Sequence, residues 1–343
     1  MTKGSNLPYR RLCVELGAVV TMSEMTVARR LKQRKRSEFA LIRRAPDEPC
    51  FGVQLSGNDP AEMAWAAALV ESRGADLVDV NLGCPIDFFT RKGLGAALAR
   101  HPNRVRRIVE AMTLAVKIPV TVKIRLGWDD HDLNGVSVAQ AAVDGGAKAV
   151  FVHGRTRAAR YTRAADWEAI GEIVRAVTVP VVGNGDVLFP HDVAAGVARS
   201  GGVGVMAARG VLIKPWLFRE LREGDLDISA AERLEIYRRY VALAREHWGH
   251  DELGTGRIRE FLIWHLGFWC RYAPRRADGS YPSMQQRESW MPRNPLEQLL
   301  ARADAEAHTY LADRLLAGDE PTAEGAPEPS TAASVDDDAA EAG

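Results

Sequence analysis

From Phe51 onward the chain alternates short runs of β-branched and apolar residues with longer amphipathic stretches. FGVQL from Phe51, DLVDVNL from Asp76, PVTVKIRLG from Pro119, AVFVHG from Ala149, PVVGNGD from Pro180 and VGVMAARG from Val203 have the composition of strands. Between them, Pro60–Gly74, Pro102–Val116, Val136–Gly145, Trp167–Val177 and Pro190–Arg199 carry helical patterns, and a further helix is expected over Lys214–Glu220. Pro60 in a first turn and Gly74 at the far end punctuate one of them as helix-bounding residues do. Upstream, AVVTM adds a strand that ends at Ser23 and Glu24, and NLPYRRLCVELG before it keeps its apolar residues on one helical face.

Repeated βα units of this length imply parallel strands with right-handed crossovers. Polar residues recur at the carboxyl ends of the strands, where a (β/α)8 TIM barrel places its active site. An open doubly wound sheet is the alternative, but no GxGxxG opens the chain. The strand candidates centre on Val19, Val53, Val80, Val122, Val150, Val181 and Val205, one short of a closed barrel. After Gly224 the alternation stops. Ala230–Trp248, Gly256–Tyr272 and Leu296–Leu316 are helical in period. The expected organisation is therefore a barrel over 1–224, an all-helical domain over 225–317 and a tail over 318–343. Tryptophans 248, 264, 269 and 290 are read as helical core, and Arg257, Arg259, Arg271, Arg275 and Arg276 as solvent-side contacts for a nucleic-acid backbone.

Charge changes this picture in one respect. Lys and Arg together match Asp and Glu at 45 each, but eight of the acids and none of the bases lie in Gly318–Gly343. The rest of the chain thus carries an excess of eight positive charges, which suits a polyanionic partner. The tail, poor in large apolar residues, is expected to be disordered. Residues Ala28–Arg44, with RRLKQRKR, form either a solvated helix or a phosphate-contacting patch. No apolar run approaches the ~20 residues of a membrane span. The four cysteines show no CxxC spacing, which argues against a metal site or a disulfide framework and fits a reducing cytoplasm.

Candidate chemistry gathers at one stretch, DVNLGCPIDFFTRKGLGAAL from Asp79 to Leu98. Asn81 ends a strand, and Cys84 follows on a turn before Pro85. Arg91, Lys92, Gly93 and Gly95 then make a basic loop able to close over a ligand. A thiol there is either an acid or nucleophile facing an anionic substrate or an ordinary buried cysteine.

DVNLGCP with KGLGAAL, joined by YRRLC, FGVQLSG, VKIRLGW, VHGRTR, YTRAADW, GNGDV and EHWG, resembles the tRNA-dihydrouridine synthase family from Met1 to about Leu316. The details look most like its eukaryotic branch, which modifies a variable-loop uridine. The resemblance implies an FMN-dependent reductase of the C5–C6 bond of a tRNA uridine with NADPH as reductant. Cys84 would be the acid that protonates C5. Flavin contacts would come from Gln54, Lys123 and His153, and from a phosphate cradle of Asn184, Gly185, Asp186, Ala208 and Arg209, where the family usually has glycine in place of Ala208. Asn81, Arg125 and Arg155 would face the base. The family begins with a strand whose last residues lie under the flavin, so Met1 and Thr2 would be contacts and the first strand would be missing upstream. The implied protein is a cytoplasmic monomer whose partner is tRNA, with no membrane and no protein partner. A reductase of a free pyrimidine and a non-catalytic tRNA-binding protein are the alternatives.

Overall fold

The computed structural model describes residues 3–285 and 290–329. The expectations for Met1, Thr2 and the last 14 residues of the tail fall outside them. By its internal contacts the chain forms two compact units, one over Val19–Ala208 and one that joins the N-terminal segment up to Ala18 to the chain from Arg209 onward.

The first unit is a parallel sheet covered by helices. Its strands are β1 (Val20–Met22), β2 (Thr26–Val27), β3 (Cys50–Ser56), β4 (Leu77–Asn81), β5 (Val120–Arg125), β6 (Ala149–His153), β7 (Val181–Asn184) and β8 (Gly204–Met206). They run in the order β1-β3-β4-β5-β6-β7-β8, sequential as in a βα barrel. All seven expected strands are present. The additional β2 pairs with β3 beyond β1, so it extends that edge and adds no new position to the order. Ser23 marks the break between them: its N–H donates to Gly52 O (2.8 Å) while its hydroxyl accepts from Gln54 N–H (3.0 Å). Among the described residues β1 and β8 do not pair, and Val19, Val20 and Val203 near those edges are 71%, 51% and 69% exposed.

Alternation along the strands separates two faces. Val53, Val78, Val80, Val122, Ile124, Val150 and Val152 are all buried, and their polar neighbours in sequence point the other way. Side-chain caps start the covering helices: Asp59 accepts from Glu62 N–H at Pro60–Ser72, and Asp166 from Ala169 N–H at Trp167–Ala176. Trp167 fills a slot where a Cβ at Gly183 or Gly196 would lie 2.2 or 2.8 Å from its ring.

The second unit differs from expectation in three ways. The helix Leu7–Glu15, expected to begin the barrel, packs instead with Ala230–Trp248. The Tyr9 side chain lies in the core made by Tyr240, Phe261 and His265, so the contact division falls after Ala208 and not at Gly224. Lys214–Glu220 is not one helix, because Pro215 follows Arg209–Ile213 and a new helix runs over Leu217–Glu223. Leu296–Leu316 also divides, into Pro295–Leu300 and Ala305–Ala317, where Asp304 takes the Ala307 N–H as a new cap. Trp269 is fully buried as expected, and Trp248, Trp264 and Trp290 partly so. Of the arginines proposed for a nucleic-acid backbone, Arg259 pairs with Asp313 and Arg275 with Asp225, and Arg257 is exposed. The described part of the tail is tethered: Arg302 Nη1 donates to Pro327 O (2.6 Å), and Tyr310 OH exchanges hydrogen bonds with the Thr322 backbone.

At the centre of this unit His265 is 1% exposed between two tyrosines. Tyr9 OH donates to Val211 O (2.7 Å) and so accepts from His265 Nε2 (3.1 Å), which leaves Nδ1 to accept from Tyr237 OH (3.0 Å). Burial without a counter-charge pushes the imidazole pKa down to about 3, against a weaker opposing hydrogen bond to the Leu212 backbone. Between pH 6.5 and 3 the unfolded chain therefore binds a proton that the folded chain refuses, and stability falls as pH falls through that window. On this account about 3 kcal/mol is lost between about pH 6.5 and about pH 4. Urea unfolding followed by tryptophan fluorescence should show that slope in the wild type and a flatter one in His265→Gln.

Candidate active site

The polar residues that interrupt the apolar strands all reach one face, because parallel register sets them side by side. Gln54 is opposite Asp79, Asn81 opposite Lys123, Arg125 opposite His153, and His153 opposite Asn184. Side-chain bonds follow the same order. Gln54 Nε2 donates to Asp79 Oδ2 (2.8 Å), and Asn81 Nδ2 donates to Gln54 Oε1 (2.7 Å). Lys123 Nζ donates to Asn184 Oδ1 (3.2 Å), and Asn184 Nδ2 to Met206 O (2.8 Å).

Asp79 is the residue that motif reading passed over. Its carboxylate is fully buried and also accepts from Thr121 Oγ1 (2.7 Å). Burial raises its pKa to about 6, while the Gln54 and Thr121 hydrogen bonds and the Lys123 charge oppose the rise. An acid within the apolar run LVDVNL was the sequence signal, since burying a carboxylate costs free energy unless something needs it there. Lys123 shows the reverse: burial, then Arg125, lower its pKa to about 8, and Asp79 acts against them.

Cys84 sits on the turn after β4, partly exposed. Asn81 Oδ1 accepts from its N–H (2.9 Å) and, more weakly, from that of Gly83 (3.3 Å), an Asx-type turn that fixes the thiol over the strand end. Arg125 Nε holds the same turn through Gly83 O (2.8 Å) and reaches Thr156 O with Nη1 (2.9 Å). Desolvation raises the Cys84 pKa, against hydrogen bonding from the Ile86 backbone and the charges of Arg125 and Lys123. The thiol thus stays protonated at neutral pH. The basic loop that follows is pinned to it. Ala96 N–H donates to Cys84 O (3.1 Å), and Gly95, with φ of +58°, approaches so closely that a Cβ would lie 2.7 Å from that oxygen. In the same loop Phe88 is 59% exposed with Lys92 Nζ 3.6 Å from its ring centroid, and Arg91 is exposed. Arg29, Lys32, Arg34, Lys35 and Arg36 of the earlier basic segment are exposed as well.

Arg155, expected to face a base, is instead an internal fastener. It is 2% exposed, bonds both Asp186 carboxylate oxygens at 2.6 Å, and gives Nη1 to His153 Nε2 (3.0 Å). Because a guanidinium can only donate, a neutral His153 carries its ring proton on Nδ1. Asp186 also accepts from Ala165 N–H (2.7 Å), and these bonds hold its backbone at φ +53° next to Gly185 at +134°. Tyr161, a second residue without a role in the sequence reading, lies 5.9 Å from the His153 ring, with the Arg125 and Arg155 guanidinium carbons 6.0 and 5.7 Å from its centroid. Ala208 ends the first unit, and Arg209, 7% exposed, begins the second.

The residues present suit a flat heterocycle rich in acceptors. The described hydrogen bond of the Lys123 ammonium to Asn184 uses one of its three N–H groups, and Gln54 keeps one N–H and one lone pair beyond its two bonds. That is the donor pattern an isoalloxazine or uracil ring requires, so the FMN expected from the motifs fits the polar face.

The profile described as Dihydrouridine synthase (Dus) matches residues 1–264. A human protein named tRNA-dihydrouridine(47) synthase [NAD(P)(+)]-like is 40% identical over 324 residues, covering 92% of this chain and 49% of that protein. The tRNA-dihydrouridine(47) synthase [NAD(P)(+)] of Cryptococcus neoformans is 40% identical over 321 residues, 88% of this chain and 44% of its own length. In rice, a protein of the same name as the human one is 38% identical over 326 residues, with 92% and 47% covered. The chain spans about half the length of these curated relatives. Matched by the family profile over most of its length, the chain belongs to the dihydrouridine synthase family.

Proposed function

We propose that this chain is a tRNA-dihydrouridine synthase that reduces a uridine of the variable loop, position 47 in its relatives' names, with NADPH as electron donor. The observation that carries the reading is the turn bearing the Cys84 thiol, held by Asn81 and Arg125 at the rim of a polar strand-end face. FMN, when bound, supplies hydride chemistry. Gln54, Lys123 and His153 would hold its ring, and Asn184, Gly185, Asp186 and Ala208 its phosphate end. The carboxylate of Asp186 turns toward Arg155, so its contribution is to fix the turn. Lys123 would supply positive charge to the ring as it gains electrons.

Cys84 then provides the proton that must reach C5 of the uracil. A raised pKa keeps that proton on sulfur at neutral pH, which is what a general acid needs. The pinned Gly95–Ala96 loop holds the Cys84 backbone in place. A base inside tRNA must leave its stack to enter, and the exposed cations of Ala28–Arg44 and of the Cys84 loop offer phosphate contacts to offset that cost. Such contacts are what a tRNA substrate requires and a free pyrimidine does not.

Mapping of dihydrouridine in tRNA from a strain lacking the protein tests the function directly. An unchanged modification pattern would refute it. In the purified protein, Cys84→Ala should retain FMN and NADPH oxidation while tRNA reduction falls by roughly 10²-fold or more, as expected for loss of a general acid. Wild-type turnover in that variant would assign the acid to another group. Lys123→Met should bind FMN more weakly and accept electrons from NADPH more slowly. Stopped-flow flavin bleaching and a fluorescence titration of FMN measure the two effects.

A further inference from the structure

The hydrogen bonds among Asp79, Gln54, Asn81 and Cys84 form a directed chain fixed at both ends, by a carboxylate at one and by the Cys84 and Gly83 N–H groups, which can only donate, at the other. An ionised carboxylate can only accept. Asp79 is fully buried, and Thr121 Oγ1 already donates to its Oδ1, so Oδ2 requires a donor from Gln54. That places the Gln54 NH2 group toward Asp79 and its Oε1 toward Asn81. Asn81 must then turn its NH2 group to Gln54 and its Oδ1 to the N–H groups of Cys84 and Gly83. Reversing any one amide in this chain would set two donors or two acceptors against each other in a nearly dry site.

We propose that Asp79 is a positioning residue that, together with the Cys84 turn, sets the polarity of this relay, so that Asn81 presents a free N–H, and no acceptor, to an incoming pyrimidine. Both acceptor directions of Asn81 Oδ1 are taken by the Cys84 turn, and one hydrogen of Nδ2 is taken by Gln54. The remaining N–H pairs with a ring carbonyl and is repelled by an exocyclic amino group. In the uridine-reducing role proposed above, on which this inference rests, the relay that Asp79 anchors thereby selects uracil, which has a carbonyl at C4, over cytosine, which has an amino group there. Nothing about Asp79 itself touches the base.

The test is to reverse the relay. Asn81→Asp makes that position acceptor-only and sets it against Gln54 Oε1. Adding Asp79→Asn allows Gln54 to flip, donating to the carboxylate introduced by the first change and accepting from the amide introduced by the second, while Thr121 keeps its bond. In FMN-free protein the single Asn81→Asp change should lower the melting temperature, and the double variant should recover it beyond the sum of the two single effects. Part of that coupling is plain repulsion between two carboxylates, so the cycle is repeated in a Gln54→Leu background, where no amide can carry polarity. Coupling that shrinks there supports the relay. Coupling that is undiminished there, or simple additivity in the Gln54 background, overturns it.

The second readout is the binding of variable-loop tRNA transcripts with uridine or cytidine at the position named in the relatives, 47. Wild type should prefer uridine by about tenfold, the worth of one well-placed hydrogen bond against an unmatched donor. The double variant should lose or invert that preference. Equal binding of the two transcripts by wild type would overturn the base-selecting role. Failure to bind either transcript, with the melting-temperature coupling intact, would remove the tRNA reading and leave the relay standing.

Discussion

Everything at the candidate site depends on parallel strands paired in one register. With a side-chain period of two, a single apolar phase puts Val53, Val78, Val80, Val122, Ile124, Val150 and Val152 under the helices. The same phase delivers Gln54, Asp79, Asn81, Thr121, Lys123, Arg125, His153 and Asn184 to the opposite face in laddered neighbours. A slip of one residue in any strand would bury its cation or amide under a helix and expose its valines. The hydrophobic free energy of the covered face thus holds the geometry of the polar one.

That polar face stores electrostatic tension. Burial pushes Asp79 toward neutrality from one side and Lys123 from the other, each partly restrained by the other's charge. Opposed shifts of this kind are common at functional sites, where burial and neighbouring charges are arranged together. Arg155 and Asp186 provide the contrast. Nη2 of the buried Arg155 donates to both carboxylate oxygens of the half-buried Asp186, and the pair fixes the β7 turn and the His153 tautomer. Removing one partner of such a pair strands the other charge, which costs about 3–5 kcal/mol.

The second unit applies the same economy of polar groups in a helical core. Tyr9, His265 and Tyr237 satisfy each other between Leu7–Glu15, Glu252–Trp269 and Ala230–Trp248, so that a neutral imidazole can be buried. Tyr9 comes from a segment that precedes the first strand. A helix far away in sequence therefore completes this core, and the chain crosses between units twice.

Local sequence determined the elements of this protein. Strand and helix periods placed all seven sequential strands and most helices within a few residues, because burial on one face and caps such as Asp59 and Asp166 act over a single turn or strand. Local sequence also placed Asn81 at a strand end and Cys84 on the turn that follows it. It did not determine partners. Whether Arg155 faces a ligand or Asp186, whether Asp79 serves Gln54, and which unit takes the YRRLC helix depend on contacts between residues 25 to 256 positions apart. Only the tertiary structure decides those, since hydrogen-bond direction and desolvation are set by what the folded chain brings within about 3 Å.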